Sequence, residues 1–282
     1  MQNISHQSKF HYDEYFFPFH QLTTLAIYTE HPVTYITIQE FFTILTKGQN
    51  LQDLRVRCIG VQLQFPDPHS GETKNLTDIS HHRLQTLYIA VVNDGYLIDP
   101  LLQQANFPSL KNFGIGSSTG SRAWSHAAIS YFLDRTSQGI QEIRIVTPGI
   151  EWPEVSQYFL YTPNATQVFV AAHGLTNDEF WQATDYLPRL EHLELEGDFY
   201  ISPRAFTEFI TQRCERYPRH DDTEVALLRS LSMRCWGETS MFVDADILVM
   251  LQQYREKGTD INIVIETDYR YISSATLLSY ME

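Results

Sequence analysis

The feature that most restricts this chain is an apolar triplet, L-x-x-L-x-L with other apolar residues allowed, that returns along nearly all of its 282 residues. It occurs as Leu22–Leu25–Ile27, Leu51–Leu54–Val56, Leu84–Leu87–Ile89 and Leu110–Phe113–Ile115. It continues as Ile140–Ile143–Ile145, Ala165–Val168–Val170, Leu190–Leu193–Leu195 and Leu228–Leu231–Met233, with Ile261–Ile263–Ile265 as a degenerate ninth copy. The eight full copies start 29, 33, 26, 30, 25, 25 and 38 residues apart. So many evenly spread copies are a period, not a by-product of leucine content.

A period of this size, with this consensus, is that of leucine-rich repeats. Each triplet reads as a short strand, and helical spacing fills the intervals. Apolar residues fall at i, i+3, i+4, i+7 in Ile38–Phe41–Phe42–Leu45, Ile98–Leu101–Leu102–Ala105, Trp124–Ala127–Ala128–Tyr131 and Ile247–Met250–Leu251–Tyr254. Thr37-Ile-Gln-Glu40 and Thr176-Asn-Asp-Glu179 read as capping boxes, and Ser202-Pro203 as an N-cap followed by proline at the first helical position. The tenth motif position is Gly60, Gly149, Gly174, Gly237 or Asn93 in five copies, residues that permit a sharp turn out of a strand. The expected fold is α/β: a leucine-rich-repeat solenoid of eight to nine repeats, a horseshoe arc with parallel strands on the concave face and helices on the convex face. A single domain spans 1–282, with a terminal tail or cap over 1–18, an inserted loop over 61–82 and a C-terminal cap over 260–282. A further surface excursion is expected over 216–226.

The net charge of −14 excludes a nucleic-acid binder, because phosphate is held by Lys and Arg. Residues 1–140 carry 11 acids and 9 bases, whereas 141–282 carry 23 and 11, so a basic partner would be steered to the C-terminal half. No apolar run reaches membrane-spanning length, no secretory signal opens the chain, and three cysteines make no disulfide framework. We expect a monomer in cytoplasm or nucleus.

Catalytic patterns are missing. Gly114-Ile-Gly116-Ser-Ser-Thr-Gly120 lacks the lysine of a phosphate loop and reads as a turn after the fourth strand. His81-His82, with His69, Asp67 and Asp78, matches no metal signature and reads as a solvated loop. Cys58 and Cys235 occupy equivalent motif positions, as structural packing predicts. The sequence therefore assigns no catalytic residue, no cofactor and no metal. An α/β hydrolase-like enzyme is the alternative that a converging Ser/Cys, His and acid would favour.

Strand alternation turns the third, fifth and seventh motif positions out of the sheet. These carry Arg55, Arg57, Tyr88, Arg144, Phe169, His192, Glu194, Glu196 and Arg234, the expected partner-binding set. Arginines and aromatics are enriched at binding hot spots. Phe169 is expected to stand exposed, and Gly114 and Gly116 to leave a shallow pit.

The segments Leu187-Pro-Arg-Leu-Glu-His-Leu-Glu-Leu195, Thr211-Gln-Arg-Cys214, Leu228-Arg-Ser-Leu231 and Leu251-Gln-Gln-Tyr-Arg-Glu-Lys-Gly-Thr-Asp-Ile261 resemble the C-terminal repeat region of F-box/leucine-rich-repeat proteins abundant in mushroom-forming fungi. The resemblance implies a substrate-recognition arm: an F-box docks a Skp-type adaptor of a cullin ubiquitin ligase, and the repeats hold the target. Only about twenty residues precede the first triplet, too few for a three-helix F-box, and no Leu-Pro-x-Glu opening appears there. A Skp-type adaptor is thus a partner only if an F-box lies outside this chain. The alternative is a free-standing repeat protein without a ubiquitin role. In either case the expected activity is recognition of a protein partner, whose identity the sequence does not give.

Overall fold

The computed structural model describes residues 18–28, 36, 38–57, 79–91, 98–117, 124–136, 139–147, 152–175, 178–199, 202–215, 225–236 and 245–266. In chain order the elements are β1 (Thr24–Ile27), α1 (Ile38–Lys47), β2 (Asp53–Arg57), β3 (Ile79–Ser80), β4 (Thr86–Val91), α2 (Asp99–Gln104), β5 (Ala105–Asn106) and β6 (Asn112–Ser117). There follow α3 (His126–Thr136), β7 (Glu142–Val146), α4 (Trp152–Leu160), β8 (Gln167–Leu175), α5 (Glu179–Ala183), β9 (His192–Phe199), α6 (Pro203–Cys214), β10 (Ser230–Trp236), α7 (Ala245–Glu256) and β11 (Asp260–Glu266).

Nine of the strands form one sheet, and their spatial order, β1-β2-β4-β6-β7-β8-β9-β10-β11, is their order along the chain. Every pairing is parallel. The triplets sit in register: Leu25, Leu54, Leu87, Phe113, Ile143, Val168, Leu193, Leu231 and Ile261 are successive cross-strand neighbours. They belong to one apolar core that runs from Phe19 to Ile261 and takes in buried apolar residues from each of the seven described α-helices. The described helices therefore pack on one face of the sheet.

The turns into the strands repeat as well. The carbonyls of Thr23, Gln52, Gln85, Lys111, Gln141, Thr166 and Glu191, all at the second motif position, each accept two N–H groups from the next strand's start, at 2.7–3.1 Å. One residue earlier, the N–H groups of Leu22, Leu51, Leu110, Ala165 and Leu190 close four-residue turns on the carbonyls of Phe19, Gly48, Phe107, Thr162 and Leu187. In the third copy the Leu84 N–H instead donates to His81 Nδ1 at 3.2 Å, and the ring's Nε2 lies 3.0 Å from the Gly48 carbonyl. His81 is buried. It replaces a turn carbonyl and does not stand in a solvated loop; Ile79 and Ser80 before it pair with β5. Residues 61–78 of the insertion, with Asp67, His69 and Asp78, lie outside the described residues, as do 1–17, 216–224 and 267–282.

Local structure differs from expectation in three places. In α3 the buried residues are Ala128, Ile129, Phe132 and Leu133, while Ala127 and Tyr131 are exposed. The helix starts at His126, so Trp124 is buried but not on it, and a phase counted from Trp124 is one position off. The residue capping α5 is Asp178, whose carboxylate accepts from the Ser202 N–H (3.1 Å) and hydroxyl (2.9 Å) and makes no cap bond of its own; Thr176 lies outside the described residues. Gly174 lies within β8, not in a turn. By contrast Ser202 caps α6 through the Ala205 N–H, and the turn just past α7 carries Gly258 with φ +102°, a conformation that only glycine adopts without strain.

Two arginines tie helix ends together. Arg135 Nη2 donates to the carbonyls of Leu102 (2.7 Å) and Ala105 (3.0 Å) at the end of α2. The fully buried Arg213 donates likewise to Leu187 (3.1 Å) and to Thr184 after α5. Carbonyls at a helix end lack intrahelical donors, and these guanidinium groups supply them.

Candidate partner-recognition face

With the helices on one side, the opposite side of the sheet carries the odd motif positions as three rows perpendicular to the strands. The row nearest the strand N-termini is polar: Thr24, Asp53, Thr86, Asn112, Glu142, Gln167, His192, Ser230 and Asp260. The middle row reads Ala26, Arg55, Tyr88, Gly114, Arg144, Phe169, Glu194, Ser232 and Asn262. The third, from β2 to β11, is Arg57, Ala90, Gly116, Val146, Ala171, Glu196, Arg234 and Val264.

All nine residues expected on this face lie on it, but three are not open to solvent. Tyr88 and Phe169 are each 5% exposed and Glu196 is 3% exposed. Exposure at Phe169 is therefore corrected, and so is the pit at Gly114. The Tyr88 ring lies over Gly114, where an added Cβ would collide with Cδ1 and sit 2.9 Å from Cε1. Across this glycine the Tyr88 hydroxyl donates to Glu142 Oε1 on β7 at 3.0 Å. Gly114 is a strand residue that makes room for an aromatic ring; it belongs to no turn.

Cations finish the arrangement. The Arg55 guanidinium lies 5.0 Å from the Tyr88 ring centre on one side, and Arg144 lies 5.6 Å from Tyr88 and 5.9 Å from Phe169. Each arginine is held by a carboxylate two residues before it on the same strand, Arg55 by Asp53 at 3.1 Å and Arg144 by Glu142. Burial, then the charge of Glu142, pushes the Tyr88 phenol well above the usual tyrosine range. Tyr88, Ala90, Val146, Phe169 and Ala171 form a second apolar cluster, apart from the core beneath the helices.

Toward β11 the face changes character. Glu196 is paired with Arg234 on the neighbouring strand at 3.0 Å, and the Arg234 side chain remains 46% exposed. Glu194 is exposed, His192 Nδ1 lies 2.8 Å from Ser230 Oγ, and Arg57 is half-buried at the other end. A histidine against a serine invites a catalytic reading, but the register sets Asp260 beside Ser230, and the neighbour of His192 on its other side is Gln167. A triad needs the acid behind the imidazole. Cys235 faces the helices, and burial pushes its thiol up to about 12, far from a reactive thiolate; Cys58 lies outside the described residues. Among the described residues no group of three His, Cys, Asp or Glu is placed to hold a metal, and no helix is long and apolar enough to cross a membrane.

Sequence reasoning missed Asp53, Glu142 and Ser230, the polar partners that position the named side chains. Their signal was present as Asp53-x-Arg55 and Glu142-x-Arg144, an i, i+2 spacing that puts opposite charges on one strand face. The chain matches no family model and no curated protein at a significant level.

Proposed function

We propose that this chain is a leucine-rich-repeat solenoid that recognises a partner protein across the helix-free face of its sheet. Strands that follow chain order, helices on one side and a turn hydrogen-bond pattern repeated unit after unit support the solenoid reading. The single observation that carries recognition is the in-register row Arg55, Tyr88, Arg144, Phe169 and Glu194. Its Tyr88 ring and both guanidinium groups are already held by Asp53 and Glu142. A preordered surface loses little side-chain entropy on binding. The serine beside His192, with its acid out of line, favours binding over catalysis.

The face is polarised. From β2 to β7 three arginines, Arg55, Arg57 and Arg144, face two acids, Asp53 and Glu142, whereas Glu194, Glu196 and Asp260 outnumber Arg234 from β9 to β11. A partner with basic groups set against the β9–β11 end fits it best. By the resemblance in sequence, the partner is a ubiquitin-ligase target, in cytoplasm or nucleus, with any Skp-type adaptor bound through an F-box outside this chain.

The test is affinity purification with quantitative mass spectrometry, comparing wild type with Glu194→Arg and Asp260→Arg, both exposed and both on the face. A partner lost with either variant and retained by Lys257→Glu, at the end of α7, supports the reading. A partner retained by all three variants overturns it. Appearance of cullin and a Skp-type adaptor among the co-purified proteins tests the ubiquitin assignment separately.

A further inference from the structure

A second surface lies at the rim where the strands begin. Gln85, Lys111, Gln141 and Thr166 each immediately precede a strand, β4, β6, β7 and β8, and line an open groove of about 500 Å³ together with Asn164 and Arg189. Its charge is opposite to that of the protein. On a chain of net charge −14 the lining holds two cations and no carboxylate. The Lys111 and Arg189 side chains have no hydrogen-bond or ion-pair partner among the described residues, and both residues are exposed. Glu142, next to Gln141, is engaged with Tyr88 and Arg144, and Glu191, two residues beyond Arg189, is engaged with Arg229 at 3.1 Å.

The groove's shape is fixed by backbone. The carbonyls of Gln85, Lys111, Gln141 and Thr166 are each committed to two N–H groups, so the side chains at these positions are carried by a rigid ladder. Gly139 sits where an added Cβ would come within 2.7 Å of the Leu110 carbonyl oxygen, a close approach that keeps this stretch of the lining free of side-chain bulk.

The geometry points to a binding site for an extended acidic peptide segment, with two carboxylates four residues apart. Adjacent strands lie about 4.8 Å apart, so the backbone at Lys111, at β6, and at Arg189, ahead of β9, is separated by three strand spacings, roughly 14 Å across the sheet. An extended peptide rises about 3.3 Å per residue, so positions i and i+4 span about 13 Å and point to the same side. Gln85, Gln141 and Asn164 between and beside the cations supply amide donors and acceptors for the peptide groups. This site is distinct from the helix-free face and does not depend on the function proposed for it.

Fluorescence anisotropy with labelled decapeptides at about 0.15 M salt, where distant charges are screened, tests the proposal. The probe carries two glutamates four residues apart in a Ser/Thr background. One control has glutamines in their place, and another has the glutamates three apart, on opposite sides. The expected result is binding of the first peptide about fivefold or more tighter than either control, reduced by a similar factor in Lys111→Glu and in Arg189→Glu. Lys111→Arg keeps the affinity, and Glu194→Arg on the helix-free face leaves it unchanged. Circular dichroism melts confirm that the rim variants stay folded. Equal affinity for the three peptides overturns the proposal, as does indifference to Arg189→Glu. Displacement of the peptide by low millimolar sulfate would assign the site to a single small anion, and preference for a heparin oligosaccharide would assign it to a polyanion; either outcome overturns the peptide.

Discussion

The two faces of the sheet obey one alternation rule and reach burial by opposite means. On the helix side every strand offers aliphatic or aromatic groups at the fourth motif position, and Leu54, Leu87, Phe113, Ile143, Val168, Leu193 and Leu231 are 0–2% exposed against helix side chains. On the helix-free side Tyr88 and Phe169 are nearly as buried, yet the groups set over them are guanidinium groups from Arg55 and Arg144. One side excludes water by packing apolar bulk on apolar bulk. The other lays rings along the sheet under a charged layer that a partner can touch. A face can thus be rigid without being inert, and this rigidity is what a recognition surface needs.

The sharpest way to break this contrast is to make the same truncation on each side. Phe113→Ala removes a ring that is 0% exposed and packs on Phe132 at 4.9 Å between centroids. It should cost about 3–5 kcal/mol, because the surrounding helices cannot collapse into the space. Phe169→Ala should cost about 1–3 kcal/mol, because the long Arg144 side chain can settle into the gap. Urea unfolding of the two variants decides it. Equal losses would show that the guanidinium layer packs as firmly as the helices do.

Gly114 offers a finer probe of the same side. Gly114→Ala places a methyl group against the Tyr88 ring and should destabilise by about 1–3 kcal/mol. The double variant Gly114→Ala/Tyr88→Ala, in which the obstructing ring is gone, should recover part of what the two single changes lose together. Strict additivity in that cycle would mean that glycine and tyrosine are not coupled.

Tyr88→Phe separates the ring from its hydroxyl. Loss of the bond to Glu142 should cost about 1–2 kcal/mol at neutral pH. Ionisation gives a second readout. An unfolded tyrosine titrates near 10, whereas burial and then the Glu142 charge hold the native Tyr88 phenol higher. Below pH of about 10 both states keep the proton; above it the unfolded chain releases one that the native state retains, so stability falls as pH rises. Denaturant midpoints between about pH 9 and 11 should decline less steeply in Tyr88→Phe than in the wild type. Parallel slopes would place the ionisation elsewhere.

What could be read from the sequence follows the range of the forces involved. The strand triplets, the side each residue occupies, the Ser202 cap and the Gly258 stop are local, set within a few residues by alternation, capping and backbone freedom. The nine face positions were placed correctly for that reason. The burial of Tyr88 was not legible, because it depends on Gly114, 26 residues away, and Glu142, 54 residues away. Cross-strand neighbours can be found only once the register is known. His81 shows the same limit: its imidazole takes the place of a turn carbonyl by reaching back to Gly48, a contact across 33 residues that no motif announces.

The smallest stability effect is expected at the residue with the largest expected effect on recognition. Glu194 stands in the middle row beside Phe169, but its side chain is exposed and it lies across from Ser232, not from a cation. Exposed substitutions away from caps, cores and ion-pair networks usually move stability by less than about 0.5 kcal/mol. Glu194→Gln should therefore leave the denaturant midpoint unchanged while weakening a partner with basic groups, the weakening growing as salt is lowered. If Glu194→Gln instead destabilises the fold by more than about 1 kcal/mol, the carboxylate is part of the packed layer with Arg144 and Phe169. The boundary between the rigid part of the face and the part left for a partner would then lie farther toward β11.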